Sequence, residues 1–246
     1  GFCPIGCLGS CSRSVASTPK QSCDKRKEIG MLADLRLYQL ISPLLPIGGF
    51  TYSQGLEWSV EQHWVRDQQT LQHWVEGLLT HSMATLELPI LLRILQAYQE
   101  GNSANLIHWC SYLLASRETL ELRKEERQRG AALAKLLPNL GVVIPDEIKD
   151  TVTSTQLAGL GLAAHHWDIP PHQLCAGHAW SWLENTVSAG IKLIPLGQTQ
   201  GQQILLQLAG KIPDAVAKAS QVDDSNIGSS TPALAIASSN HETQYT

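Results

Sequence analysis

Charge is scarce in this sequence. Lys, Arg, Asp and Glu make up 16% of its 246 residues, against roughly a quarter in an average globular chain. A surface so weakly charged suits a protein partly covered by partners. The balance of 18 basic and 22 acidic residues, a formal charge of −4, lacks the basic excess of a nucleic-acid footprint. Long apolar runs are missing as well. None reaches the roughly 18 residues of a membrane span, and no charged region followed by an apolar core marks a secretory signal. Neither nucleic acid nor membrane is therefore an expected partner. The 43% of hydrophobic residues is globular, and a chain of this length buries roughly 70–75% of its unfolded surface without needing a staple.

Signatures of chemistry are also missing. There is no G-x-x-x-x-G-K-S/T to cradle nucleotide phosphates, no G-x-S-x-G elbow and no H-E-x-x-H. The stretch Gly159-Leu160-Gly161-Leu162-Ala163-Ala164 matches G-x-G-x-x-A by letter. No strand precedes it, and small residues for close helix packing account for it. The expectation is a protein that is not an enzyme and carries no cofactor. Cys3, Cys7, Cys11 and Cys23 lie in a Gly/Ser/Pro-rich opening with a spacing unlike a zinc site and no nearby histidine. Residues 1–30 read as a disordered or non-native leader ahead of Met31. Cys110 and Cys175 fall in helical patterns and read as buried hydrophobes. With no disulfide framework, a reducing cytoplasm is expected.

What the chain does contain is helix. Leu71, Trp74, Val75, Leu78 and Leu79 recur at the spacing of a core-facing stripe, with Asp67 as the cap. A separate helix is read from Thr85, with Pro89 near its first turn. Further segments run over residues 106–115, 116–137, 155–166, 171–192, 199–208 and 213–221, and only residues 142–153 lean towards strand. The reading is an all-α fold of roughly eight to ten helices in one domain over residues 31–222. From Asp223 the Ser- and Asn-rich composition reads as a flexible tail, residues 223–246.

Two groups of polar residues stand out. His165, His166, His172, Cys175 and His178 fall within fourteen residues, and imidazole with thiolate suits nickel, copper or zinc. No carboxylate completes the set, so ordinary helix-end and surface histidines are the competing reading. In the charged segment after Ser116, Thr119, Leu122, Glu126, Gly130, Leu133 and Leu137 share one helical face by steps of three and four. Glu126 thus sits on an apolar stripe and needs an arginine or N–H donors as partner. Arg117 and Glu121 are spaced as an i, i+4 pair.

Four segments carry a resemblance. These are SPLLPIGGFTYSQGLE at 42–57, SRETLELRKEERQRG at 116–130, PLGQTQGQ at 195–202 and HETQY at 241–245. In that order and spacing the chain resembles the urease accessory protein UreF family, over roughly residues 33–246. The resemblance implies an all-α, homodimeric, non-catalytic cytoplasmic scaffold. Such a protein bridges UreD (UreH) and the GTPase UreG in delivering nickel to the carbamylated lysine of apo-urease. The alternative is a helical metal carrier using the cluster at 165–178. The motif residues that become partner-binding candidates are Phe50, Tyr52, Ser53, Glu57, Arg117, Glu121, Glu126, Gln198, Thr199, Gln200, His241, Glu242 and Tyr245. Phe50 and Tyr52 read equally well as a hydrophobic staple. The long charged helix or the Trp180–Val187 helix is expected near the dimer interface. Family members usually continue past HETQY with a short basic and aromatic ending, so a chain extended by it is expected to bind UreD more tightly.

Overall fold

The computed structural model describes residues 19–48 and 55–244. Among them there is helix and no strand, as the periodicity predicts. Helix α1 (Pro19–Ile41) begins within the residues 1–30 read as a leader. The short α2 (Leu56–Glu61) leads to α3 (Gln68–Leu78), which opens on a full capping box: Asp67 accepts from the Thr70 N–H, and the Thr70 hydroxyl accepts from the Asp67 N–H. Then come α4 (Leu88–Gln99), α5 (Ser103–Ala115) and α6 (Leu120–Leu136). The second half holds α7 (Lys149–Ser154), α8 (Gln156–His166), α9 (Pro171–Leu193), α10 (Gln198–Ala209), α11 (Ile212–Ala219) and α12 (Pro232–Gln244). Helix α4 is the centre, packed on α5, α8, α9 and α11. Ile90, Leu91 and Ile94 in it are wholly buried.

The break expected between Leu79 and Thr85 does not exist. Helices α3 and α4 are joined by a π-helical stretch, Leu79–Glu87, into one run from Gln68 to Gln99. By length and composition this run could cross a membrane, but 72% of its most apolar window is buried inside the fold, as in a core helix. The cause of the widening lies at Pro89. It has no N–H for the Thr85 carbonyl, and a π turn absorbs the mismatch. The Thr85 carbonyl accepts instead from the Gly228 N–H at 3.0 Å, and the His81 carbonyl accepts from the Ser230 N–H at 3.0 Å.

Those bonds correct the reading of the chain after Asp223 as a loose tail. Arg93 binds Asp224 and the Val222 carbonyl, and the Tyr112 hydroxyl donates to the Ile227 carbonyl at 2.7 Å. Helix α12 then packs on α2 and α6, burying Leu234, Ala237 and Ser238. A Ser- and Asn-rich composition could not reveal these backbone receptors. The strand-leaning residues 142–153 also resolve differently. Gly141, at φ +84, ends a 3-10 turn over Leu137–Leu140, and an extended passage leads through a second 3-10 turn into α7. The β-branched Val142 and Val152 are buried there as anchors, not as a ladder.

Candidate functional site

The stripe assigned to α6 is correct in every member: Thr119, Leu122, Glu126, Gly130, Leu133 and Leu137 are all buried. Thr119 caps the helix, accepting from the Leu122 N–H at 3.2 Å. Glu126, 7% exposed, has the partners its position demands. The Arg117 guanidinium donates to its Oε2 at 2.7 and 3.2 Å. Its Oε1 accepts from the Thr155 hydroxyl at 2.7 Å and the Gln156 N–H at 3.1 Å. The carboxylate therefore sits at the N-terminus of α8, where the free N–H groups and helix dipole favour negative charge.

Arg117 does not pair with Glu121. It precedes the first turn of α6, so helical spacing does not apply to it, and it instead spans Glu126 and Glu87, the latter at 3.1 Å. His178 of α9 stands 3.6 Å from the other oxygen of Glu87. Burial opposes ionisation of Glu87, but the Arg117 charge and the His178 contact outweigh it and hold the carboxyl well below the usual range. Burial likewise works against the Arg117 charge, and the two carboxylates raise its pKa in spite of it. Four elements meet at this buried ion cluster: the π stretch, α6, α8 and α9.

A second cluster pins the C-terminal helix. His241 Nε2 lies 3.0 Å from Glu57 of α2, and Nδ1 lies 3.1 Å from Glu121 of α6. The Ser238 hydroxyl donates to Glu121 and shares a hydrogen bond with buried Thr119 at 2.8 Å. Gly55 permits this approach. At φ +77 it faces α12 so closely that a Cβ would stand 2.8 Å from the Ser238 nitrogen. Both imidazole nitrogens face carboxylates, so the doubly protonated ring donates to both. Burial lowers the His241 pKa, but the hydrogen bond to Glu57 and the charge of Glu121 win, leaving it above its ordinary 6.5. A raised histidine stabilises fully below pH 6.5 and loses that contribution as pH rises through the folded value. Amide exchange in α12 is expected to quicken, relative to α4, as pH rises from about 6 to about 9. A His241→Gln variant should lack that extra pH dependence, and an equal response in both proteins would refute the assignment.

The remaining candidates divide clearly. Glu57, Glu121 and His241 come together, as do Arg117 and Glu126. Gln198, Thr199 and Gln200 lie apart at the start of α10, where Gln200 reaches Gln68 of α3 at 3.3 Å. Phe50, Tyr52, Ser53 and Tyr245 lie outside the described residues, and only the backbone of Glu242 is described, within α12. The proposed metal cluster is not assembled. His165, His166 and His172 are exposed, Cys175 is fully buried, and His178 turns to Glu87. No group of three or more His, Cys, Asp or Glu suited to a metal ion occurs among the described residues. Burial pushes the Cys110 and Cys175 thiols up to about 12, which makes them inert. Glu87 was missed by the sequence reading, and His178 was read there as a metal-cluster candidate, not as the partner of Glu87. Glu87, between Leu86 and Leu88, carries the signal that exposed Glu126: a carboxylate inside an apolar run.

Residues 65–209 match the family model described as UreF. A urease accessory protein UreF from Pseudomonas putida strain F1 is 47% identical over 215 residues, covering 87% of this chain and 96% of the relative. The chain belongs to the UreF family. The family's Alcanivorax borkumensis member is 48% identical over 223 residues, covering 87% and 96% of the two chains. One from Klebsiella pneumoniae strain MGH 78578 is 42% identical over 211 residues, covering 86% and 94%. Membership makes the chain a urease accessory protein, as the four motif segments imply. It also gives the two clusters their context: the motif charges Arg117, Glu121, Glu126 and His241 join helices to one another.

Proposed function

We propose that this UreF-family chain is a non-catalytic cytoplasmic scaffold linking UreD (UreH) to the GTPase UreG during nickel insertion into apo-urease. The observation that carries this reading is its 47% identity, across 96% of the relative, to a urease accessory protein UreF. The structure supports a scaffold by the way its charges are spent. Glu87, Arg117 and Glu126 are consumed in ion pairs that fix helix positions. Helix α1 adds support for homodimerisation. Its inner face buries Ala33, Leu37 and Leu40, while Met31, Leu32, Leu35 and Tyr38 on its outer face are 54–62% exposed. A helix apolar on both sides is suited to being covered. The carrier reading loses support from the dispersal of His172, Cys175 and His178.

Affinity capture of the chain co-expressed with UreD, UreG and apo-urease tests this. UreD and UreG are expected to co-purify with it, two copies of the chain per complex by light scattering, and nickel titration of the isolated protein should show no tight stoichiometric site. Tight nickel binding abolished by His172→Ala with Cys175→Ala, and no partner recovered, would overturn the proposal.

A further inference from the structure

Helix α6 turns its acids inward and three of its five bases outward, while Arg129 pairs with Glu125 and Arg123 is half-buried. Glu125 and Glu126 are 4% and 7% exposed, and Glu121 is turned to His241. The residues facing outward are Lys124, Arg127, Gln128, Ala131 and Lys135, all exposed. Steps of three and four lead from Lys124 to Arg127 and Gln128, from both of these to Ala131, and on to Lys135, so they form a continuous stripe. Its charges are all positive, on a chain whose net charge is −4.

The stripe runs into a cleft of about 590 Å³. Ala131, Ala134, Pro138 and Ile144 line it. Gly141 and buried Val142 turn the chain so that Val143 projects at its edge, 79% exposed. Lys135 and Lys149 border the cleft, with Asp146 as its one acidic lining residue. A concave apolar surface beside polar groups is the usual form of an interaction site.

We propose that this stripe and cleft dock an acidic amphipathic segment of a partner protein in urease maturation. Its apolar side chains seat in the cleft, and its Asp and Glu residues meet Lys124, Arg127 and Lys135. From Lys124 to Lys135 the stripe spans roughly 16 Å, the length of about three helical turns. Charge complementarity selects the occupant. An acidic segment answers the stripe, and its apolar face answers the cleft. A nucleic acid would answer only the stripe and would meet an acidic chain elsewhere. The inference rests on the scaffold reading above, which supplies the set of partners.

The test uses the full chain co-expressed with UreD, UreG and apo-urease. It compares the wild type with Lys124→Glu/Arg127→Glu/Lys135→Glu, with Val143→Asp, and with Arg66→Glu as a control. Arg66 is well exposed and is not among the residues lining the cleft. All four should unfold at similar temperatures, because the substituted side chains are exposed. The triple variant and Val143→Asp are each expected to lose one partner by about tenfold or more while keeping the others. Wild-type recovery of that same partner should fall as salt rises from about 0.05 to about 0.5 M. Retention of every partner within about twofold would overturn the surface alone. Failure of the wild type to recover any partner would overturn both the surface and the scaffold reading. Co-purifying nucleic acid lost in the triple variant, or a shift of that variant to monomer with all partners kept, would place a different occupant there and overturn the proposal.

Discussion

Replacing Arg117 by methionine is expected to destabilise the protein by about 3–5 kcal/mol, because it strands two buried carboxylates. Glu87 and Glu126 are 12% and 9% exposed at the side chain, and Arg117 is the cation that both share. For a chain of this size the loss corresponds to a fall in Tm of about 10 °C. Urea unfolding and calorimetry measure it directly. The loss should be most severe near neutral pH and shrink in acid, where the stranded carboxylates take up protons. In the wild type the sign is reversed. Glu87, with its pKa depressed, contributes fully above its ordinary 4.5 and loses that contribution as pH falls towards its folded value. Adding Glu87→Gln and Glu126→Gln to the methionine variant should recover part of the stability. A loss below about 1 kcal/mol, the worth of an exposed pair, would show that the cluster does not hold the four elements together.

Gly130→Ala is expected to cost at least about 2 kcal/mol. Helix propensity alone points the other way, favouring alanine by about 1 kcal/mol, so space decides the sign. A Cβ on Gly130 would stand 2.6 Å from the Thr155 nitrogen and 2.8 Å from the Thr153 carbonyl oxygen. Both are backbone atoms at the junction of α7 and α8 and cannot swing aside. Their displacement would also pull the Thr155 hydroxyl and the Gln156 N–H away from Glu126. Gly77 provides the contrast. It lies in α3 with nothing within 4 Å of an added Cβ, so Gly77→Ala should stabilise by about 0.5–1 kcal/mol. Chemical denaturation of the two variants decides the matter. Similar effects of the same sign would mean that the α6–α7 packing is looser than the structure shows.

Both predictions concern residues whose roles were only half legible in the sequence. Periodicity placed Glu126 and Gly130 on the buried face of α6, since a helix repeats every 3.6 residues and apolar positions report its core side. It also showed that Glu126 required a partner. The identity of that partner was not legible, because Arg117 reaches Glu126 from the turn before the helix. Glu87 lies 30 positions earlier than Arg117, and His241 meets Glu57 across 184 positions. Pairings at such separations leave no local pattern.

The sequence by itself determined the helical class, the cap at Asp67, the buried faces, and through four motif segments the family. These follow from local physics: hydrogen-bonding side chains at helix starts and apolar spacing along each helix. Only the tertiary structure decided that Pro89 widens a helix instead of starting one, because the open Thr85 carbonyl is answered by Gly228 from a distant part of the chain. It also decided that the residues after Asp223 fold back as α12, and that the acids of α6 face inward while Lys124, Arg127 and Lys135 face out. Each of those outcomes depends on which groups the fold brings within hydrogen-bonding or ion-pairing distance, and that distance is set by packing.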